Sequence, residues 1–475
     1  MPVPLNTYCP QQPTLPPEIL PCPNTTCPDT SCPNTSCPNI TCLECPNFPK
    51  NLQDPRCEAF PDPGDLLIVV KTGATEAYAK LPVQLVTNLQ CAKNFLIFSD
   101  LEQDIGKYHL YDALDNVSAN VKYEHPDFQL YWKQKEYYAN GEDISSLKVN
   151  NAGWNLDKFK FLHMMEKTWS MQPHYNWYFF MEADTYIIWS NLLTWLKQFD
   201  PIMPLYVGSP TQISDTAFAH GGSGYLLSGA TMQRLADDPG IGQRYDSQML
   251  GTCCGDHMLG IALREKGVQL GSAWPMINGE KGRTLPYARD QWCQPLITMH
   301  HVNPEEMSQM WKFEQRRKNF EVRTLPNHTT PLNSRVANTL AKNPLLIHEL
   351  FEFAMEPKLS PLLDDWDNLS DDIRYQSPQI MDDSKSKLWN EMSEIERKAH
   401  ESFDACRVAC KADINCFQWL YHGNTCKFSK SFKLGYKKYI DDGGSYRSGW
   451  DVDKIQRFKV EHLPCQQPDW VNTKY

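Results

Sequence analysis

Two carboxylates spaced two residues apart, Glu182 and Asp184, close the apolar run WYFFM at 177–181. In an extended chain residues i and i+2 face the same way, so both acids address one point. Hard oxygen ligands of this kind suit Mn²⁺ or Mg²⁺, ions that commonly bridge one or two carboxylates to substrate phosphates. The spacing is equally that of solvated acids at a strand end, greeting the positive pole of the next helix. His300 and His301 follow a second apolar run, LITM at 296–299. An imidazole there could complete a metal site with Asp184 or serve a purely structural role. HGGSGYLLS, residues 220–228, sets Gly221, Gly222 and Gly224 ahead of a helical stretch for which Ser228 is the expected N-cap. Glycines at such a point permit close backbone approach and leave N–H groups free, although a tight turn explains them as well. The lysine of a P-loop and the spacing of a dinucleotide fingerprint are both missing. Asp256, in CCGDHMLG, reads either as a general base or as an N-cap for the helical run behind it.

These residues need a scaffold, and the pattern from Leu66 onward supplies one. Short β-rich runs (LLIVV at 66–70, FLIF at 95–98, WYFFM, LYV at 205–207, LITM) alternate with helical periodicity. Leu156, Phe159, Leu162 and Met165 mark one helix; Leu192, Trp195, Leu196 and Phe199 mark another, with Ser190 as its expected N-cap. Strands alternating with helices imply an α/β fold with a mostly parallel central sheet. Such sheets present ligands at the carboxyl ends of their strands, where Glu182 and Asp184 fall.

At 475 residues, 41% of them hydrophobic, the chain is long enough for two or three domains with at least one large core. A formal charge of −11 without a basic block excludes a nucleic-acid binder, so any anionic ligand must be held locally, by a metal or by backbone donors. Of 17 cysteines, seven lie in the first 45 positions, and Asn-x-Ser/Thr sequons occur at Asn24, Asn34, Asn39, Asn116, Asn327 and Asn368. Together they place the protein in the oxidising secretory pathway. The odd count leaves one thiol free or bonded to another chain, as in a disulfide-linked dimer. No apolar run spans a bilayer and no signal-peptide pattern opens the chain, so a membrane anchor is expected outside this sequence.

Four segments follow. Residues 1–60 read as a stiff, glycosylated Cys/Pro-rich stalk, because proline at every fifth position from Cys22 to Cys42 favours extended backbone; a thiolate metal cluster is the rival reading. Residues 61–325 form the α/β domain, 326–400 an acidic linker or arm, and 401–470 a small disulfide-rich C-terminal domain built around Cys406, Cys410, Cys416, Cys426 and Cys465.

The ordered blocks LIVVKTGATEAYAKLPVQLVTN, CAKNFLIFSD, WNLDKFKFLHMMEKTW, WYFFMEADTYIIWSNLLTWL, GGSGYLLS, GDHMLGIALREKGV and TMHHVNP resemble the Fringe-like inverting β-1,3-glycosyltransferases, in particular the core 1 β-1,3-galactosyltransferases and their fungal relatives. The resemblance covers about residues 65–315. It implies a GT-A nucleotide-sugar-binding fold, a UDP-sugar donor, a glycan or glycoprotein acceptor, Mn²⁺ (with Mg²⁺ as the alternative), and the Golgi or another secretory lumen. The family's acidic triplet falls on Glu182-Ala183-Asp184, making Asp184 the direct metal ligand and Glu182 its support near ribose or metal-bound water. His300, rather than His301, takes the position of the second metal ligand. Asp256 takes that of the catalytic base, with Gly255 where the family carries a first acid. Thr72, Gly73 and Asp100 match the uridine pocket, and Gly221 and Gly222 match the loop beside the transferred sugar. The cysteine spacing of the last module resembles a PAN/apple domain, either holding an acceptor or serving as a structural appendage. Rival functions are a glycan-binding protein on a degenerate GT-A domain, favoured by Ala183 and Gly255, and a glycoside hydrolase using two carboxylates without a metal.

Overall fold

The computed structural model of the chain describes Cys57, Phe60 and residues 62–147, 150–324, 343–379 and 384–473. The Cys/Pro repeat, its rival reading as a metal cluster, and the sequons at Asn24, Asn34, Asn39 and Asn327 lie outside the described residues.

In chain order the first strands are β1 (Leu66–Lys71), β2 (Phe95–Ser99), β3 (Gln103–Ile105), β4 (Tyr108–Asp112), β5 (Trp177–Glu182), β6 (Tyr186–Ile187), β7 (Tyr206–Gly208), β8 (Pro210–Ile213), β9 (Thr216–Ala219), β10 (Tyr225–Ser228), β11 (Leu270–Ser272) and β12 (Thr298–Met299). Eight of them form one sheet in the order β11-β7-β10-β5-β1-β2-β4-β3. Its centre, β5-β1-β2-β4, is parallel, and β10 is inserted antiparallel between β5 and β7. The α/β architecture with a mainly parallel sheet is the one the alternating pattern implies.

β1 is buried along its whole length, as a strand covered by helices on both faces must be. Alternate residues serve alternate faces. Leu67 and Val69 join Phe98, Tyr178 and Phe180 under the helices Lys160–Met171, Ile241–Met249 and Gly255–Glu265. Leu66, Ile68 and Val70 join Trp177, Phe179 and Met181 under the helices Ala74–Val86 and Trp189–Leu196. Each large apolar side chain buried this way contributes roughly 1.5–3 kcal/mol, so the two cores fix where the strand ends emerge. On that edge Lys71, Asp100 and Glu182 leave neighbouring parallel strands together.

Two local expectations shift. The helix expected to be capped by Ser190 begins one residue earlier, at Trp189, with Ile188 as N-cap, because Ile188 leaves an extended connection paired to the backbone of Ile297. Of LITM only Thr298–Met299 is a strand, since Leu296 and Ile297 bond instead to Leu345 and Met276.

The C-terminal part adds β13 (Leu362–Asp364), β14 (Trp366–Asp367), β15 (Ile373–Tyr375), β16 (Gln418–His422), β17 (Thr425–Ser429), β18 (Tyr436–Lys437) and β19 (Arg447–Trp450). A five-stranded antiparallel sheet, β13-β19-β16-β17-β15, carries the helix Phe403–Ala412, with disulfides Cys406–Cys426 and Cys410–Cys416 holding that helix to its surroundings. Its two edge strands come from residues 362–375, within the stretch expected to be a linker; strands of three residues, LLD and IRY, are too short to show alternation. A shared core of Tyr287, Trp292, Phe351, Phe432, Trp450 and Phe458 joins this sheet to Tyr186 and Met299 of the β6–β12 pair. The bond Cys293–Cys465 reinforces the junction, so Cys465 does not pair inside the C-terminal module. All described cysteines are paired, Cys57–Cys91 and Cys253–Cys254 completing the set, which places the odd cysteine among the seven at the N-terminus outside the described residues. No helix among the described residues is long and apolar enough to cross a membrane.

The sequon at Asn368 is occupied by the fold. Its side chain is 0% exposed and its amide N–H groups donate to the carbonyls of Trp419 (3.0 Å) and Gly449 (3.3 Å). Asn116 is exposed. Peptide mapping of secreted protein should therefore find glycan on Asn116 and none on Asn368. Replacing Cys293 and Cys465 together by serine should lower the unfolding free energy by about 2–4 kcal/mol, measured by urea denaturation, because that bond closes the longest loop.

Candidate functional site

The parallel pairing of β1 with β5 sets Lys71 opposite Glu182. The Lys71 ammonium lies 3.0 Å from Glu182 Oε1 and also engages Asp157. Burial alone would push Lys71 down, but Asp157 and Glu182 outweigh it and raise its pKa. Burial likewise opposes ionisation of Glu182, yet Lys71 and His300 hold it well below the usual carboxylate range. The acids that end this apolar strand thus have a cation built into the adjacent strand. A second lysine, Lys80 on the helix Ala74–Val86, lies 3.1 Å from Asp184 Oδ2 and 2.8 Å from Glu76.

The chain turns tightly after β5. The Thr185 N–H donates to the Glu182 carbonyl (3.0 Å), and the Thr185 hydroxyl accepts from the Glu182 N–H (3.2 Å) and donates to the Gly222 carbonyl (2.7 Å). β6 then pairs antiparallel with β12, putting Met299 opposite Tyr186. The next residue, His300, meets the acidic turn: its Nε2 is 3.1 Å from Asp184 Oδ1 and 3.4 Å from Glu182 Oε2. The Val302 N–H donates to the Asp184 carbonyl (3.0 Å) and locks the two segments together. Against the opposing effect of burial, His300 holds Asp184 down at about 2 with help from Lys80. In turn Asp184 and Glu182 overcome burial to raise His300 to about 9.

The donor set fits a divalent cation. Asp184, His300 and His301 each offer a ligand atom, all within 4.8 Å of one another. Asp184 Oδ1 and His300 Nδ1 are buried without a hydrogen-bond partner among the described residues; the 3.1 Å approach of Oδ1 to Nε2 lacks hydrogen-bond alignment. Gly222 forms the wall of this site. A Cβ there would come within 2.3 Å of the His300 ring, so only glycine allows the loop to lie on the imidazole.

The loop continues to Asp256. Asp256 Oδ2 accepts from the Gly221 N–H (2.9 Å), and Oδ1 from the His257 N–H (2.9 Å). It occupies the first turn of the helix Gly255–Glu265, whose N-cap is Cys254, so the N-cap reading of Asp256 does not hold. Burial raises its pKa, opposed by the Gly221 N–H and by His220. Ser228, by contrast, caps its helix as expected, its hydroxyl accepting from the Thr231 N–H (3.2 Å).

Thr72, Gly73 and Asp100 sit together at the ends of β1 and β2. The Thr72 N–H donates to the Phe98 carbonyl (2.9 Å), Gly73 is the N-cap of the helix Ala74–Val86, and Asp100 Oδ1 accepts from the Ala74 N–H (2.5 Å). Lys160, 1% exposed, donates to the Thr72 carbonyl (2.7 Å) and lies 3.2 Å from Asp157 and 3.5 Å from Asp100. A chain of alternating charges, Asp100-Lys160-Asp157-Lys71-Glu182, therefore connects this corner to the acidic turn. Its two lysines and Asp157, like Lys80, are absent from the residues singled out in the sequence. The register of LLIVVK against WYFFME was the available signal for Lys71, and the charges inside WNLDKFKF were the signal for Asp157 and Lys160.

Among solved structures, the chain is similar to the galactosyltransferase LgtC crystallised with donor and acceptor sugar analogues, at 9% identity and a TM-score of 0.28, over 52% of this chain and 95% of that one. Residues 62–270, which carry Thr72, Gly73, Asp100, Glu182, Asp184, Gly221, Gly222 and Asp256, match the family model described as Fringe-like.

Proposed function

We propose that the protein is an inverting glycosyltransferase that moves a hexose (galactose, N-acetylglucosamine or glucose) from a UDP-sugar to a hydroxyl of a glycan or glycoprotein acceptor, forming a β-1,3 linkage in the Golgi or another secretory lumen. One observation carries the reading. Asp256 and the Asp184–His300 pair are joined by the two-residue backbone Gly221-Gly222, Asp256 bonded to the N–H of the first and His300 packed on the second. A base and an anion-neutralising centre on either side of a glycine loop are what displacement at a sugar carbon requires. The Fringe-like match, which covers Asp184, Gly221, Gly222 and Asp256, supports it.

In this mechanism Asp256 removes the proton from the acceptor hydroxyl, which attacks the anomeric carbon from the face opposite the departing diphosphate. The burial that raises its pKa makes it a stronger proton acceptor than an exposed aspartate. Asp184 and His300 would hold Mn²⁺, or Mg²⁺ less readily given the imidazole, and the ion would supply neutralisation of the diphosphate charge. Lys71 keeps Glu182 ionised beside that site, and Thr72, Gly73 and Asp100 offer the corner for the nucleoside. The rival, a non-catalytic glycan-binding protein, is favoured by Ala183, which is 1% exposed and packed in the core where the family has a carboxylate.

UDP release from UDP-Gal, UDP-GlcNAc, UDP-Glc and UDP-GalNAc with and without Mn²⁺ decides between them. Asp256→Asn should lower kcat at least about 100-fold while leaving UDP binding intact. Asp184→Ala should abolish metal-dependent transfer; full activity in that variant sinks the proposal, and inertness of the intact protein with every donor favours the rival.

The metal site should also be pH-dependent. With its pKa raised to about 9, His300 carries a proton at neutral pH that it must release before its nitrogen can bind a metal, whereas Asp184, at about 2, is already ionised. Mn²⁺ affinity should therefore rise with pH toward about 9, with about one proton released per ion at neutral pH. Calorimetry in buffers of different ionisation enthalpy measures that proton, and a flat affinity would contradict the assignment.

A further inference from the structure

His301 has a backbone that its position in a strand connection does not demand. Its φ is +57°, the left-handed region that non-glycine residues enter at a cost of about 1–3 kcal/mol and that tends to persist where function exploits it. The consequence is geometric. Consecutive side chains along an extended chain point to opposite sides, but here the rings of His300 and His301 lie on the same side, centroids 3.9 Å apart and inclined by 38°. The turn brings a His301 nitrogen within 4.8 Å of the ligand atoms of both His300 and Asp184. His301 is exposed while His300 is buried, so it closes the solvent side of the cluster. Gly222 fixes the other side by packing on the His300 ring.

We propose that His301 is a third protein ligand of the divalent cation, so that the chain binds its metal through one carboxylate and two adjacent imidazoles. The inference rests on the metal site under Asp184 and His300 argued above, and adds a ligand to it. Two nitrogen donors change the selectivity. Imidazole suits borderline transition-metal ions, while Mg²⁺ favours an all-oxygen shell rich in water. The site should therefore hold Mn²⁺ and Co²⁺ well in the absence of any nucleotide and discriminate strongly against Mg²⁺. It would also keep the ion in place as the diphosphate departs, because three protein ligands remain when the phosphate oxygens leave.

The test uses the full chain and Mn²⁺ alone. Free Mn²⁺ is titrated by electron paramagnetic resonance, and pulsed resonance counts the coupled imidazole nitrogens. Two variants separate ligation from packing: His301→Phe keeps an aromatic ring against His300, and His301→Asn keeps a residue that tolerates the left-handed backbone. The wild-type protein should show two coupled imidazoles, and both variants one, with Mn²⁺ affinity weakened about tenfold or more and Mg²⁺ discrimination reduced. Asp184→Asn should weaken binding further and provides the control. If wild-type protein shows a single coupled imidazole, or both His301 variants bind Mn²⁺ as tightly as wild type while Asp184→Asn does not, His301 is no ligand and the inference falls alone. If Asp184→Asn binds like wild type, the metal site itself is misplaced and both readings fall.

Discussion

The structure turns on how charge is placed at the end of a buried sheet. β1 and β5 lie side by side in its centre, and both run from fully apolar residues straight into ionised ones. A carboxylate there is costly without a partner, because removing one member of a buried pair leaves the other uncompensated at about 3–5 kcal/mol. Glu182 is 28% exposed and so is partly screened, but Lys71, at 5%, has no such relief. Parallel register supplies the answer by setting the two in the same row. The same row then dictates the rest: Asp157 completes Lys71, Lys160 completes Asp157, and Asp100 lies beside Lys160. Shifting β5 by one residue would turn every side chain to the opposite face and break this sequence of charges along with the two cores.

The glycine loop depends on that edge in turn. Thr185, in the turn after Glu182, donates to the Gly222 carbonyl, and Thr298, just ahead of the histidines, donates to the Ser223 carbonyl (2.8 Å). Two threonine hydroxyls from the paired β6 and β12 region thus hold the loop between the acidic turn and Asp256. A loop pinned on both sides also fixes the Gly221 N–H that Asp256 accepts from, so Asp256 is held in place relative to the acidic turn. The C-terminal sheet bears on the same region indirectly: the core it shares with Tyr186, Ile188 and Met299 backs the paired strands from behind.

Much of this was legible in the sequence. Runs such as LLIVV and WYFFM declare buried parallel strands by composition, and the two acids mark where the second of them ends by contrast with what precedes them. Ser228 was readable as a cap because its hydroxyl answers to local chemistry. The partners of the acids were not readable in that way, since Lys71 meets Glu182 only through the register of β1 with β5, and meets Asp157, 86 residues away, only where the helix Ala152–Asp157 ends beside it. His301 was read beside His300 and set aside because the resemblance gives the second ligand position to His300; the left-handed φ that brings the two rings together is not legible in the pair itself. The edge strands within 362–375 were missed because three residues carry almost no periodic signal.

The glycine at 255, where the Fringe-like resemblance implies an acid, then has a steric explanation. A Cβ on Gly255 would lie 2.2 Å from the Lys158 carbonyl and 2.4 Å from the Phe161 ring, so no acid fits there unless Phe161 gives way. Phe161 also packs on Gly221 and receives the Lys71 ammonium over its face at 4.5 Å. The chain has an aromatic wall where a second carboxylate could have stood. For the base proposed at Asp256 this matters in sign as well as size. Two carboxylates close together would share a proton, one being forced up by the charge of the other. A lone Asp256 is raised only by its burial and is restrained by the N–H groups of Gly221 and His257. An aspartate set between those opposing influences has its pKa raised by burial, which is the direction that strengthens the proton acceptor proposed here.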